Sequence, residues 1–166
     1  MNRLKYFLLY GWRHRDPLTG LCNRKKFFKD LNSALHRSNN VALILADVDE
    51  FRNVNDSHGH QIGDTVLRQI AKALTARCAA TGTLGPYRDG RESFSFLLTR
   101  EVENARTIAE LLRADVEHLR FDPHPEVKVT IRLAVAVAPA DGKTSDEMWQ
   151  NVHSVVYGER RRNQVA

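Results

Sequence analysis

The chain has 166 residues, of which 42% are hydrophobic and 27% are charged, a balance typical of one globular domain and not of a disordered chain. Its formal net charge of +5 is compatible with anionic partners, among which nucleotide phosphate suits it as well as nucleic acid. Cys22 and Cys78 lie far apart without C-x-x-C or His/Cys metal-ligand spacing, so neither a disulfide framework nor a zinc site is predicted. We expect a cytoplasmic protein.

The first fifteen residues carry aromatic side chains between basic flanks. This pattern is typical of a docking helix, or of a helix that packs on its own domain or on a second copy. We interpret residues 1–15 as an N-terminal signalling or docking helix and residues 16–166 as the domain itself. The apolar stretch at residues 6–12 is far shorter than the roughly 18 residues that a bilayer-spanning helix needs, so no membrane span is predicted.

The first half of the domain predicts a helix, a strand and a second helix. Asn23 is a suitable N-cap for a helix that reaches residue 39, and the apolar run at residues 41–47 predicts a strand buried on both faces. A polar turn is expected over residues 55–63. A second helix then starts with Asp64 as its cap.

The second half predicts a hairpin, a helix, a strand and a last helix. The hairpin strands cover residues 83–88 and 94–99, joined through Asp89-Gly90, because Asp-Gly favours a type I′ turn in which both central residues need positive φ. A helix over residues 102–119, a strand over residues 127–138 and a helix that runs into Arg160 complete the domain.

This order predicts an α+β fold with a ferredoxin-like βαββαβ core sheet covered by helices. In that topology the end of the first strand lies beside the hairpin. The carboxylates of Asp47 and Glu92 are therefore expected to meet, an arrangement that suits a divalent metal and a triphosphate.

Three motifs resemble the GGDEF domain of diguanylate cyclases. Residues 16–24 read D-P-L-T-G-L-C-N-R, similar to the family's D-P-L-T-G-L-x-N-R. Residues 47–52 resemble its D-x-D-x-F-K, and residues 55–67 resemble its N-D-x-x-G-H-x-x-G-D-x-x-L. The resemblance spans about residues 16–163 and implies the fold of GGDEF and nucleotidyl cyclase palm-type domains.

The signature hairpin departs from the family pattern G-G-D/E-E-F. It reads Gly90-Arg91-Glu92-Ser93-Phe94, so that Arg91 replaces a glycine and Ser93 replaces an acid. The resemblance implies that the two acids serve metal binding and activation of the ribose 3′-hydroxyl, and a serine cannot supply a carboxylate to Mg²⁺. We therefore expect a degenerate, catalytically inactive domain, not an enzyme, that has no catalytic residues and acts as a regulatory or protein-interaction module in cyclic di-GMP signalling.

Two alternatives remain open at this point. One is an active diguanylate cyclase that joins two GTP molecules with Mg²⁺, for which two such domains must face each other. The other is a pure scaffold with no ligand. In each case we expect a protein partner or self-association as a homodimer, and no nucleic acid.

The resemblance also implies that part of a GTP site is retained. It assigns nucleotide contacts to Asn55, Asp64, Arg52 and Arg160, and metal contacts to Asp47 and Glu92. A carboxylate accepts hydrogen bonds from guanine's ring N–H and amine, and an amide both donates and accepts. Weak guanine-nucleotide binding is therefore expected, with no required cofactor and only weak binding of Mg²⁺ with GTP.

Simpler roles also suit some of these residues. Asp64 suits a helix N-cap, and Arg160 suits a solvated helix end. His58 and His60 lie one residue apart on a turn without a third ligand, so we interpret them as structural or solvated.

Overall fold

The computed structural model describes residues 14–163, and the side chains of residues 159–163 lie outside that description. The predicted helix over residues 1–15 therefore falls almost wholly outside the described residues. The helices are α1 (Arg24–Arg37), α2 (Phe51–His58), α3 (His60–Thr81), α4 (Ala105–Glu117) and α5 (Ser145–Asn163), with a short 3₁₀ helix at Val102–Asn104. The strands are β1 (Cys22–Asn23), β2 (Ala42–Val48), β3 (Leu84–Arg88), β4 (Ser93–Leu98) and β5 (Ile131–Val137).

The five strands form one mixed sheet in the order β1-β3-β4-β2-β5. The interior strand β2 pairs antiparallel with β4 and with β5, and the two-residue strand β1 pairs parallel with β3. Strands β2 to β5 with their helices α3 and α4 give the βαββαβ order, so the predicted α+β fold is confirmed.

The core lies on both faces of β2, whose seven residues are all buried. Ile44 packs in a cluster with apolar residues of α3 and α4, and its neighbours Leu43 and Leu45 pack in a second cluster with α1 and α5. Successive side chains of a strand point to opposite faces, which is why a strand between two helical layers is an uninterrupted apolar run. Burial on both faces fixes the register of β2 and, with it, the place of Asp47 at the strand end.

The predicted polar turn at residues 55–63 is wrong, because the end of a short helix, α2, and the start of α3 occupy all of this segment except Gly59. Phe51 is buried and Val54 packs against the same core, so α2 contributes an apolar side despite its polar composition. Gly59, at φ +83°, separates α2 from α3. Because α3 begins at His60, Asp64 lies within the helix and is not its N-cap.

The predicted two-residue turn of the hairpin is also wrong. Strands β3 and β4 are joined by residues 89–92, and neither Asp89 nor Gly90 belongs to the positive-φ residues of the described chain. The Asp89 N–H donates to the Ser93 carbonyl at 3.0 Å, which closes a wider loop than a type I′ turn allows. Buried Arg88 donates to the Arg91 carbonyl within the loop and to the Ser93 carbonyl at the start of β4, and so holds this wider loop in place.

Between residues 14 and 163 no helix combines the length and the apolar character needed to cross a bilayer.

Candidate functional site

A polar network lies at the carboxyl end of β2. Asp47 is 1% exposed, and its Oδ1 accepts a hydrogen bond of 2.9 Å from the Tyr157 hydroxyl of α5. Nε of Arg132, on β5, lies 3.8 Å from Asp47 Oδ2 and 2.8 Å from Asp49 Oδ1. Because Arg132 Nε is buried but not aligned for a hydrogen bond, we describe these contacts as ion pairs. The strand end thus holds two carboxylates around one guanidinium.

The neighbouring groups reinforce this arrangement. The Thr130 hydroxyl donates to Asp49 Oδ2 at 2.7 Å, so both oxygens of that carboxylate have a partner. Burial, together with the adjacent charge of Asp47, raises the pKa of Tyr157 to about 12. Tyr157 therefore remains a protonated hydrogen-bond donor at neutral pH.

The β2–β4 register brings the signature hairpin to the same place. Asp47 is opposite Ser93, and the N–H of Val48 donates to the carbonyl of Glu92 at 3.0 Å. Ser93 is buried, and its side chain is a hydrogen-bond partner of Tyr157. The backbone at Asp47 and the backbone at Glu92 therefore adjoin at one end of the sheet, and the meeting of their two carboxylates stays a prediction.

These residues offer Mg²⁺ the right kind of ligand atom but a poor site. Mg²⁺ prefers carboxylate oxygens in near-octahedral geometry, and Asp47 and Glu92 could supply two of them. Asp47, however, already contacts Tyr157 and Arg132, and the guanidinium would repel a divalent cation at that carboxylate. Ser93, opposite Asp47, adds a hydroxyl in place of a further charge.

Arg88, the last residue of β3, holds the loop of the hairpin through hydrogen bonds. It is 6% exposed and donates to the Ser93 carbonyl at 3.2 Å and to the Arg91 carbonyl. Burial lowers the pKa of Arg88, and the negative charges of Asp16, Glu92 and Asp64 oppose that shift. Acidic groups from three sequence motifs therefore act on one buried cation. Arg88 was not predicted as a site residue from the sequence. Its position directly before the loop of the hairpin was the one signal that could have indicated this role.

Asp89 links the hairpin to the start of α1. Its two carboxylate oxygens lie 3.2 and 3.3 Å from Arg24 Nη1, and Arg24 also lies over the ring of Trp149, 4.2 Å from the ring centre. Burial raises the pKa of Asp89 to about 7, although Arg24 acts in the opposite direction. The motif at residues 16–24 therefore contacts the hairpin through its first residue, Asp16, and its last, Arg24.

The proposed base contacts lie on α2 and α3. The Asn55 side chain rests against Gly63, where an added Cβ would be 1.9 Å from Asn55 Oδ1. Asp64 follows Gly63 on α3 and is half-buried. Arg52 is 91% exposed and pairs with Asp56 at 3.4 Å. The Arg160 side chain lies outside the described residues, so its predicted phosphate contact stays a prediction.

Known proteins resemble this chain over most of its length. The pattern of the family described as "Diguanylate cyclase, GGDEF domain" matches residues 13–165. The chain is 34% identical over 161 residues to "Probable diguanylate cyclase DgcT" of Escherichia coli, covering 92% of this chain and 35% of that protein. It is 38% identical over 105 residues to "Diguanylate cyclase VdcA" of Vibrio cholerae, covering 63% of this chain and 30% of that protein. The chain thus spans about a third of the length of these relatives.

Solved structures show the same fold. The GGDEF domain of PA1120 from Pseudomonas aeruginosa superposes with a TM-score of 0.78 at 27% identity, covering 87% of this chain and 92% of that one. The diguanylate cyclase SiaD of Pseudomonas aeruginosa, solved in complex with its activator SiaC, gives 0.78 at 28% identity, covering 96% of this chain and 64% of that one. The GGDEF domain of DgcB from Caulobacter crescentus, solved in complex with c-di-GMP, gives 0.76 at 25% identity, covering 91% and 89%.

The expectation that the chain is not an enzyme is wrong in the light of these relatives. Proteins 34% and 38% identical to this chain are named diguanylate cyclases, which points to an enzyme. The expectation rested on two exchanged positions of the hairpin, Arg91 and Ser93. Catalysis by electrostatics and positioning is distributed over many groups, so two exchanges do not by themselves define an inactive domain.

Proposed function

The chain belongs to the GGDEF family of diguanylate cyclase domains, and we propose that it binds GTP and joins two GTP molecules into cyclic di-GMP. The observation that carries this proposal is the convergence of the family motifs at one end of the sheet, where Asp47 lies opposite Ser93 and Arg88 contacts the hairpin carbonyls. In the reaction each ribose 3′-hydroxyl attacks the α-phosphorus of the other nucleotide. Two P–O bonds form, two pyrophosphates leave, and each hydroxyl loses a proton.

We assign base recognition to Asn55 and Asp64. A carboxylate at Asp64 accepts from the ring N–H and the amine of guanine, and adenine offers no matching pair of donors there. Arg52 is largely solvent-exposed and is available to the phosphates, with Arg160 as its expected counterpart on α5. Guanine nucleotides should therefore bind more tightly than adenine nucleotides.

We infer that nucleotide binding depends only weakly on Mg²⁺. When bound with GTP, the ion neutralises phosphate charge. In this chain Arg132 already offsets one of the two negative charges of Asp47 and Asp49, so less net negative charge is left to attract a divalent ion. Binding would then rest mainly on contacts to the base and on the positive charge of Arg52.

We further infer that turnover is slow. Ser93, a hydrogen-bond partner of Tyr157, stands where the family pattern has one of the two acids that serve metal binding and activation of the 3′-hydroxyl. A serine hydroxyl is a poor proton acceptor at neutral pH, and general-base catalysis is typically worth about 10²–10⁴-fold in rate. The proton would pass to water or to the pyrophosphate group that leaves.

The product also has a consequence for assembly. It contains two guanine nucleotides, and the motifs of one chain form one site. We therefore propose that two copies face each other during the reaction, as a homodimer at least while nucleotide is bound. Partner proteins are a further expectation, since the similar SiaD was solved with its activator SiaC.

The proposal is tested by incubating the purified chain with GTP and Mg²⁺ and separating the products by chromatography. We expect cyclic di-GMP and pyrophosphate in a 1:2 ratio, above a control without protein. Titration calorimetry with GTP and ATP tests base preference, for which Asp64→Asn should remove the preference while Asp56→Asn, an exposed neighbour, should keep it. Absence of product at high protein concentration, or equal affinity for GTP and ATP, would contradict the proposal.

A further inference from the structure

Two histidines and a glutamate come together away from the hairpin. His58 is the last residue of α2, and the segment between α4 and β5 places His124 and Glu126 beside it. Glu126 Oε1 lies 3.2 Å from His124 Nδ1 and 3.7 Å from His58 Nδ1. One ligand atom from each of the three residues lies within 4.8 Å of the others. These residues belong neither to the Asp47 network nor to the predicted base contacts.

The spacing of these atoms suits a tetrahedral metal. Zn²⁺ binds imidazole nitrogen and carboxylate oxygen at about 2.0–2.2 Å, which places two ligand atoms about 3.2–3.6 Å apart. The two contacts of Glu126 Oε1 are already close to this spacing. The two imidazole rings are 6.1 Å apart between centroids and tilted by 60°, so they face a common region without stacking.

The surrounding backbone holds the three residues in place. The His124 N–H donates to the Phe121 carbonyl, and the Val127 N–H donates to the His124 carbonyl at 3.1 Å. Phe121 and Val127 are 2% and 4% exposed, so the segment is anchored in the core on both sides of the cluster. Both histidines are half-buried and Glu126 is exposed, which leaves one side open to water. Little ordering is therefore required when a cation binds.

We propose that His58, His124 and Glu126 form a binding site for a divalent transition metal of the Zn²⁺ type, with water as the fourth ligand. The interpretation of His58 and His60 as structural or solvated assumed that no third ligand was available, and the fold supplies two further ligands from a distant part of the sequence. Two imidazoles favour Zn²⁺ over Mg²⁺, which prefers oxygen ligands throughout. The bound metal would fasten the segment before β5 to the end of α2.

This site does not depend on the proposed enzymatic activity, so its test uses the metal alone. The untagged chain is freed of metal with a chelator and titrated with Zn²⁺ by calorimetry, and with Co²⁺ by visible absorption. We expect one equivalent to bind, with the intense d–d bands of a four-coordinate cobalt ion and a higher melting temperature when Zn²⁺ is present.

Matched variants locate the ligands. His124→Ala and Glu126→Gln should each weaken Zn²⁺ binding at least about tenfold. His60→Ala serves as the control, because His60 is exposed, lies two residues from His58 and is not part of the cluster. It should bind Zn²⁺ like the unaltered chain. All three positions are at or near the surface, and melting curves recorded without metal establish that each variant is folded.

The opposite pattern would overturn the proposal. Loss of binding in His60→Ala with retention in His124→Ala would assign the metal to the His58-Gly59-His60 turn alone. Absence of a stoichiometric Zn²⁺ equivalent in the unaltered chain, or octahedral cobalt spectra of low intensity, would exclude the site.

Discussion

The amide oxygen of Asn55 lies against the bare backbone of Gly63, and a Cβ added at residue 63 would be 1.9 Å from it. The same Cβ would also lie 3.2 Å from Phe51 Cζ, so the buried Phe51 ring restricts an added side chain from a second direction. Asn55 and Asp64, the two proposed base contacts, are therefore positioned together across one glycine. This contact between α2 and α3 depends on the lack of a side chain at residue 63.

Replacing Gly63 with alanine should displace the Asn55 side chain and weaken GTP binding. Loss of one hydrogen-bonding partner from a largely buried polar site costs about 1–3 kcal/mol, which corresponds to roughly tenfold or more in the dissociation constant. Titration calorimetry with GTP measures the change. Gly158→Ala is the control: nothing lies within 4 Å of its added Cβ and it is exposed on α5, so the variant should bind GTP normally. Equal GTP affinity in both variants would contradict the role of Asn55.

Restoring an acid in the hairpin should accelerate the proposed reaction. Ser93→Glu places a carboxylate beside Tyr157 and opposite Asp47, where it can accept the 3′-hydroxyl proton. We expect roughly 10²-fold more cyclic di-GMP per unit time, within the usual range of general-base catalysis. Ser93→Gln has the same size without the charge and should show no gain. An equal increase in both variants would indicate a packing effect instead of proton transfer.

Removing Arg132 should make nucleotide binding depend on Mg²⁺. In Arg132→Ser the carboxylates of Asp47 and Asp49 lose their shared counter-charge, and a divalent cation can take its place. We expect GTP affinity in the variant to rise at least about tenfold on adding Mg²⁺, with little change in the unaltered chain. Arg113→Ser, which removes an exposed arginine paired with Glu110, is the control. A strong Mg²⁺ effect in the unaltered chain would contradict the inference.

The contribution of Asp89 to the free energy of unfolding should fall as pH rises from about 4 through 7. Burial raises its pKa to about 7 in the folded chain, against an ordinary value of 3.8. The folded state then binds more protons than the unfolded state in this window, so the stabilising contribution is complete below pH 4 and is lost as pH rises through 7. Urea denaturation at intervals of one pH unit measures the slope.

Two variants of this ion pair should change the slope in different ways. Asp89→Asn removes the titrating group and should flatten the curve between pH 5 and 8. Arg24→Met removes the cation that lowers the pKa of Asp89, and should extend the decline to higher pH. A curve for Asp89→Asn that runs parallel to that of the unaltered chain would show that Asp89 is not the group responsible.

The elements that could be predicted from the sequence are those marked by a pattern of apolar residues or by a local capping residue. β2 is an apolar run because both of its faces are buried, and Asn23 caps α1 by accepting from the Lys26 N–H at 3.2 Å, as its residue type indicates. The place of Asp47 and Glu92 at one sheet end follows from the βαββαβ order alone. These features are local, or follow from the topology of consecutive elements.

Features set by distant contacts could not be predicted in this way. Helix α2 looks like a polar loop until Phe51 is seen to be buried against residues far along the chain. The loop of the hairpin is held by Arg88, and the charge of Asp47 is balanced by Arg132 from another strand, neither of which a pattern within one element reveals. The two residues that join His58 in the proposed metal site, His124 and Glu126, likewise come from a segment without a periodic pattern of apolar residues.

The parallel pair of β1 and β3 gives the beginning of the domain a mechanical connection to the hairpin. Cys22 is paired with Tyr87, and Asn23 with Arg88, and the ion pairs of Asp16 and Arg24 end on the residues that support the hairpin loop. A displacement of the backbone at Asp16 would reach that loop through two ion pairs and the hydrogen bonds of one strand pair. The position of the hairpin loop is thus tied directly to the position of the first residues of the domain.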